Sequence, residues 1–284
     1  MPLTVTPLTP TIGAEISGID LKDDLSPKSA AAVVKAWLDH GVIVIRDQDI
    51  DEHAQVRFAR HFGELIERPR PRDMRPESQR EKTDAYDGYT MLVSNIRENG
   101  KPIGSLPDGE MHFHSDMSYM ETPARATLLY AIEVPKTGGD TLFASTTAAY
   151  DALDAETKAQ LAGRNVLQGF LHGTTLRANN TPHKSFSHPA VRVIPETKRK
   201  ALFLSRLITL AIEGLEPAQS DALLTRLLDH IEKPEFIYTH KWRPGDLLVW
   251  DNRATNHART DFSPDERRLL RRFATQGEIP IPAQ

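Results

Sequence analysis

Apolar residues recur along this chain in two rhythms, and each predicts a different kind of element. Residues 42–46 read VIVIR, a short β-branched run of the sort that forms a buried strand. Ahead of it Val33, Val34, Trp37 and Leu38 recur at helical spacing. Ser26 is a good N-cap for that helix, Pro27 a good first residue, and Gly41 marks its end. Residues 51–63 predict a second helix with Val56, Phe58, Ala59 and Phe62 on its apolar face, and the first third thus reads strand, helix, strand, helix. After Pro217, Leu223, Leu224, Leu227, Leu228 and Ile231 form a third helical stripe. From residue 110 onward short strands dominate, predicted over 112–119, 126–134, 141–144, 191–194, 201–204, 236–242, 247–251 and 269–275. Many short strands with Pro and Gly turns predict a mainly β, α+β chain: a sandwich or jelly roll with helices packed on one face. Residues 68–109 and 173–189 show no sustained period, and stretches of that length predict either surface loops or lids over a pocket.

Composition narrows the function classes. The 284 residues allow one large domain or two small ones, and the expectation is a single domain over 1–284, long enough to bury its own core without a staple. With no cysteine, thiolate nucleophiles, zinc–thiolate sites, iron–sulfur clusters and disulfides are excluded. Lys plus Arg number 35 against 39 Asp plus Glu, a formal charge of -4, so nucleic acid is not an expected partner. The N-terminal residues lack a basic segment followed by an apolar one, and no run reaches the roughly 18 apolar residues of a membrane span. The expectation is a cytoplasmic protein with no membrane partner. No Rossmann glycine fingerprint, P-loop, G-x-S-x-G elbow or H-E-x-x-H helix is present, which removes the best pointers to nucleotide and serine-hydrolase chemistry.

Two clusters carry candidate chemistry. Residues 109–116 read GEMHFHSD; on a strand, alternation puts His112, His114 and Asp116 on one face. Imidazole and carboxylate two residues apart can share a metal, and a further histidine from a distant strand would make a facial triad with open positions. H-x-D alone is weak, and the pair His112 and His114 offers the H-x-H of a cupin site instead. Near the C-terminus, Arg268, Leu270 and Arg272 alternate with Arg267, Leu269 and Arg271. Buried arginine is rare unless paired, so an inward Arg268 calls for an anion, whereas Arg267 and Arg271 read as a solvated basic face.

The chain as a whole resembles the taurine dioxygenase family of Fe(II)/2-oxoglutarate-dependent oxygenases, whose members include aryloxyalkanoate dioxygenases. In the family's order come Phe62-Gly63-Glu64-Leu65, then His114-Ser115-Asp116, PKTGGDTL at 135–142 and Ala148-Ala149-Tyr150. Lys233-Pro234-Glu235-Phe236, Trp250-Asp251-Asn252-Arg253, His257 and the arginines from Arg267 to Arg272 follow, so the likeness runs from about residue 3 to 278. It favours H-x-D over H-x-H, because GGDT follows at the family's spacing. The resemblance implies a double-stranded β-helix (jelly roll) with flanking helices. It implies that His114, Asp116 and His257 ligate iron, and that Arg268 with Thr141 anchors the distal carboxylate of 2-oxoglutarate. Cofactors are then Fe(II), 2-oxoglutarate and O2, with succinate and CO2 as co-products. Asp116 argues for oxygenation, since halogenating relatives lack that carboxylate.

The substrate implied is a small or medium organic anion, a sulfonate, carboxylate or aryloxyalkanoate, hydroxylated or cleaved at C–S, C–O or C–N. Arg272 matches the position that contacts the substrate anion, and Met117 is assigned to the same pocket. Two departures speak against taurine itself: Arg68 stands where the taurine enzyme has a sulfonate-binding histidine, and Glu110 where it has an asparagine. Glu110 is then either a substrate contact or a loop carboxylate. Relatives are often dimers or tetramers, so a homo-oligomer is compatible with the likeness. The competing readings are a cupin-like metal-binding protein using His112 and His114, and a zinc hydrolase using the same triad. Neither would depend on 2-oxoglutarate.

Overall fold

The run at Val42–Ile45 is buried on both faces, and this double burial organises the molecule. Val42 and Val44 enter one apolar layer, Ile43 and Ile45 another. The computed structural model describes residues 2–67, 88–106, 109–170 and 184–283. Eleven strands among them carry the frame. In chain order they begin with Thr4–Pro7 (β1), Ala14–Ser17 (β2), Val42–Ile45 (β3), Met91–Ser94 (β4), Met111–His114 (β5) and Ala124–Glu133 (β6). Thr141–Ser145 (β7), Ile237–His240 (β8), Leu247–Asp251 (β9), Thr255–Arg259 (β10) and Leu269–Gln276 (β11) complete them.

A seven-stranded sheet has the order β1-β2-β3-β9-β6-β11-β4, and a four-stranded sheet the order β8-β7-β10-β5. All their pairings are antiparallel except β2 with β3. Between the sheets lies a layer built from Val42, Val44, Leu129, Leu248, Trp250 and Leu270 of the large sheet and Phe143 and Tyr238 of the small one. The opposite face of the large sheet is covered by helices Pro27–His40 (α1) and Glu52–Ala59 (α2) through Val33, Trp37 and Phe58, with Phe62 joining them just past α2. Thr146–Asp151 (α3) and Ala155–Leu161 (α4) follow β7. Pro217–Ile231 (α5) packs its leucine stripe into a cluster with Ala144 and Ala258 of the small sheet. Helices therefore flank both sheets, not one face as the pattern predicts. No helix among the described residues is long and apolar enough to cross a membrane.

The start and stop signals act as read. Ser26 accepts from the Ser29 N–H, Pro27 occupies the first turn, and Gly41 closes α1 at φ 70°, its N–H returning to Trp37. Asp51 caps α2 in the same way, but that helix ends at Ala59 instead of 63. The strand predicted over 112–119 stops at His114, because Met117 adopts φ 56° and turns the chain. Asp116 thus reaches the site from a turn, not from strand alternation. Parts of both aperiodic stretches are strands: β4 pairs with β11, and Lys184–Pro189 pairs with Asn165–Phe170. Their backbone groups are satisfied by those neighbours, which single-sequence periodicity does not register. The rest of 68–109 and 173–189 lies largely outside the described residues.

Candidate metal centre

His114 ends β5 and His257 sits mid-strand in β10, and the two are register partners with ring centroids 4.1 Å apart. The turn after β5 swings Asp116 back toward them, so that one ligand atom from each of the three lies within 4.8 Å of the others. Trp250 and Phe143, from the layer between the sheets, pack on His257 at 4.7 and 6.3 Å. His112 takes no part in the cluster by its ring; its carbonyl accepts the Nδ1–H of His114 at 2.9 Å. That bond fixes the His114 tautomer and leaves Nε2 for a metal.

Charge follows from this geometry. Burial pushes His114 below the ordinary imidazole range against the pull of Asp116. Burial and the neighbouring His114 bring His257 down to about 3. Burial alone would raise Asp116, but Arg272, His257 and His114 together with the Thr127 hydroxyl hold its carboxyl well below the usual range. Near neutral pH the cluster is two neutral imidazoles and one carboxylate, the donor set of a facial-triad site for a divalent transition metal. Thr127 Oγ1 donates to Asp116 Oδ2 at 2.6 Å and Arg272 Nη2 to the same oxygen at 2.9 Å. Both bonds fall on Oδ2, which leaves Oδ1 for a metal.

Asn252 ties this carboxylate to the frame. Its Oδ1 accepts from the Asp116 N–H at 3.2 Å and from Trp250 Nε1 at 3.1 Å, and its Nδ2 donates to Thr127 Oγ1 at 2.9 Å. Its carbonyl accepts from Ser115 Oγ at 2.8 Å and from Arg192, a buried guanidinium stacked on Phe203. Asn252 and Thr127 escape a sequence reading, since single polar residues mid-strand or at a turn carry no periodic signal; only the motif WDNR pointed toward Asn252. Asn252→Ala is expected to lower Mn(II) affinity about 10–100-fold with the fold retained, as loss of a ligand-orienting bond does. Isothermal titration of the two proteins checks it, and equal affinities would remove Asn252 from the site.

A second polar group lies beyond the triad. Arg268 is 2% exposed, and its Nε and Nη1 have no hydrogen-bond partner among the described residues. Burial and the neighbouring Arg259 bring it down to about 9. Gly139, at φ +67°, lets the turn before β7 approach: a Cβ there would stand 3.6 Å from Arg268 Nε and 2.9 Å from Pro135. Thr141 begins β7, buried, with its Oγ1 accepting from Trp242 Nε1 at 2.9 Å. An unpaired guanidinium in a closed site suits a bidentate carboxylate.

The remaining residues of the sequence reading divide. Arg272 is at the triad, paired with Asp116 and 3.6 Å from the Met91 sulfur. Met117 is in the turn that carries Asp116, while Glu110 is exposed and Arg68 lies outside the described residues. Arg267 is solvated and paired with Glu133. Arg271 is not solvated: α2 covers that face, and its guanidinium donates to Gln55 and the Ile50 carbonyl and lies 5.1 Å from the Tyr130 ring centroid.

The family profile described as "Taurine catabolism dioxygenase TauD, TfdA family" matches residues 4–274. The chain belongs to this family. It is therefore an Fe(II)- and 2-oxoglutarate-dependent dioxygenase, and the triad's donor set fits that metal. It is 35% identical over 281 residues to a (S)-phenoxypropionate/alpha-ketoglutarate-dioxygenase of Sphingobium herbicidovorans, covering 94% of this chain and 92% of the relative. It is 32% identical to an alpha-ketoglutarate-dependent 2,4-dichlorophenoxyacetate dioxygenase of Cupriavidus pinatubonensis, covering 99% of this chain and all of the relative. Among solved structures, a taurine dioxygenase from Burkholderia xenovorans superposes with a TM-score of 0.82 at 30% identity, over 99% of this chain and 93% of that one.

Proposed function

We propose that this dioxygenase hydroxylates a small organic anion of the aryloxyalkanoate type at the carbon bearing the ether oxygen. The site roles proposed are iron ligation by His114, Asp116 and His257, and capture of the distal carboxylate of 2-oxoglutarate by Arg268 and Thr141. Facing antiparallel sheets with flanking helices support reading residues 1–284 as one catalytic domain with a double-stranded β-helix (jelly-roll) core. Fe(II), when bound, couples oxidative decarboxylation of 2-oxoglutarate by O2 to oxygen insertion into a substrate C–H bond, releasing succinate and CO2. The protein's own share is positioning and exclusion of water. Thr127 and Asn252 hold Asp116, the His112 carbonyl holds His114, and Trp250 and Phe143 wall off His257. Arg272 would share its guanidinium between Asp116 Oδ2 and the substrate anion, with Met117 beside it. A hydroxyl placed on the ether carbon gives a hemiacetal, which falls apart to a phenol and a carbonyl acid.

The observation that carries the proposal is a three-donor cluster on the same frame as a buried guanidinium whose Nε and Nη1 have no partner among the described residues. The substrate class rests on the two relatives above and on Arg272. Adding Fe(II) and 2-oxoglutarate anaerobically should produce a weak visible charge-transfer band that is lost in His114→Ala. Succinate release should then rise with phenoxyacetate or phenoxypropionate and not with the matching amides. Turnover confined to uncharged or cationic compounds would overturn the anion assignment, and metal binding without the band would overturn the roles given to His114, Arg268 and Thr141.

A further inference from the structure

A chain of buried and half-buried polar groups leads from Arg46 to Thr141, and nothing in the metal chemistry uses it. His240, fully buried at the end of β8, lies between Tyr238 and Asp246. Its Nε2 is 3.0 Å from Asp246 Oδ2, and its Nδ1 is 2.9 Å from the Tyr238 hydroxyl. Asp246 also accepts from Arg46 Nη1 and from the Arg243 N–H, both at 2.9 Å. Burial holds the His240 imidazole below its ordinary range and so neutral; a carboxylate only accepts, so Nε2 carries the one proton and Nδ1 accepts from the tyrosine hydroxyl. The imidazole is locked as one neutral tautomer, and its ring meets the Trp242 indole edge-on at 4.6 Å and 83°. Trp242 in turn donates its only N–H to Thr141 Oγ1 at 2.9 Å.

A hydroxyl has one proton and two lone pairs, and an indole N–H only donates. With one lone pair engaged by Trp242, the Thr141 proton must be given elsewhere. We propose that Trp242, seated by His240, is a positioning residue that fixes Thr141 as a hydrogen-bond donor toward the carboxylate of 2-oxoglutarate. Without the indole N–H, the Thr141 hydroxyl rotates among its staggered positions, and part of the population turns its proton away from the anion. The column Arg46–Asp246–His240–Trp242 then acts on cosubstrate affinity although none of its members touches the cosubstrate. It rests on the assignment of Thr141 and Arg268 to that carboxylate.

The test is anaerobic isothermal titration of the Mn(II)-loaded protein with 2-oxoglutarate. Trp242→Phe keeps an aromatic ring against His240 and removes the donor. It is expected to weaken 2-oxoglutarate binding about 5–10-fold, the scale of one ordinary hydrogen bond, with Mn(II) affinity unchanged. In a Thr141→Val background, where the hydroxyl is gone, Trp242→Phe should change the affinity less than about twofold. An unchanged affinity in Trp242→Phe, or the same loss with and without the Thr141 hydroxyl, overturns the proposal and makes Trp242 a packing residue. Should the phenylalanine variant fail to fold, benzothienylalanine at 242 replaces only the N–H with sulfur and reads the same quantity. Arg268→Ala separates the two levels: if it leaves 2-oxoglutarate affinity intact, the cosubstrate assignment itself fails. If Arg268→Ala and Thr141→Val lose affinity and Trp242→Phe does not, the polarity proposal alone fails.

Discussion

Asp116→Ala is expected to abolish 2-oxoglutarate decarboxylation, by more than about 1,000-fold, and to weaken metal binding with it. The size of the effect comes from charge as much as from a lost ligand. Asp116 supplies the sole negative charge among the three donors, and burial keeps both imidazoles neutral. Removing the carboxylate also strips Arg272 of a partner 2.9 Å away, leaving a guanidinium beside the position of a divalent cation. At an effective dielectric of 20, like unit charges about 4 Å apart repel by ~4 kcal/mol. The double variant Asp116→Ala/Arg272→Met should therefore recover part of the Mn(II) affinity lost in Asp116→Ala, without recovering turnover. Equilibrium dialysis and succinate release read the two quantities separately. Full activity in Asp116→Ala would dismiss the triad, and a double variant that binds no better than the single one would dismiss the repulsion.

The physics that the triad depends on was only partly legible along the chain. Local signals worked where the cause is local. Ser26, Pro27 and Gly41 bracket α1, and β-branched Val42–Ile45 forms a central strand, because capping and burial need few distant partners. His114 and Asp116 come together for a reason other than the one that motivated reading them as a pair. Alternation predicts a shared strand face, but the strand ends at His114 and a left-handed Met117 brings Asp116 round instead. His257 could be expected beside His114 through the family likeness alone, since Thr255–Arg259 reads TNHAR, with no period, and becomes a strand by lying between β7 and β5. Arg267 and Arg271 look equivalent in sequence and differ in the fold, because α2 covers one and water the other. Asn252, Thr127 and Trp242 act through hydrogen bonds spanning 101 to 136 residues, and nothing in a single sequence marks such pairs.

Arg268→Met is expected to move stability and binding in opposite directions. Among the described residues this guanidinium is buried with no partner for Nε and Nη1, beside a second cation, Arg259. Burial brings it down to about 9, which amounts to a cost on the order of a few kcal/mol for keeping it charged near neutral pH. An unbranched apolar side chain of similar length removes that cost, so the variant should melt several degrees higher. The same change removes the fork proposed for the distal carboxylate, and 2-oxoglutarate affinity should fall by about 100-fold or more, with Mn(II) binding spared. The pH dependence has a definite sign. A base whose folded-state value is depressed destabilises most where it is charged in both states. Its cost is therefore complete below about 9 and shrinks as pH rises from there toward the ordinary arginine range, where the unfolded chain holds more protons than the folded one. Wild-type minus variant stability should thus become less negative above pH 9, while wild-type affinity for 2-oxoglutarate declines over the same interval as Arg268 loses its proton. Thermal melts and titrations from pH 7 to 10 check both. A variant that is less stable than wild type and still binds 2-oxoglutarate normally would make Arg268 a structural residue and move the cosubstrate elsewhere.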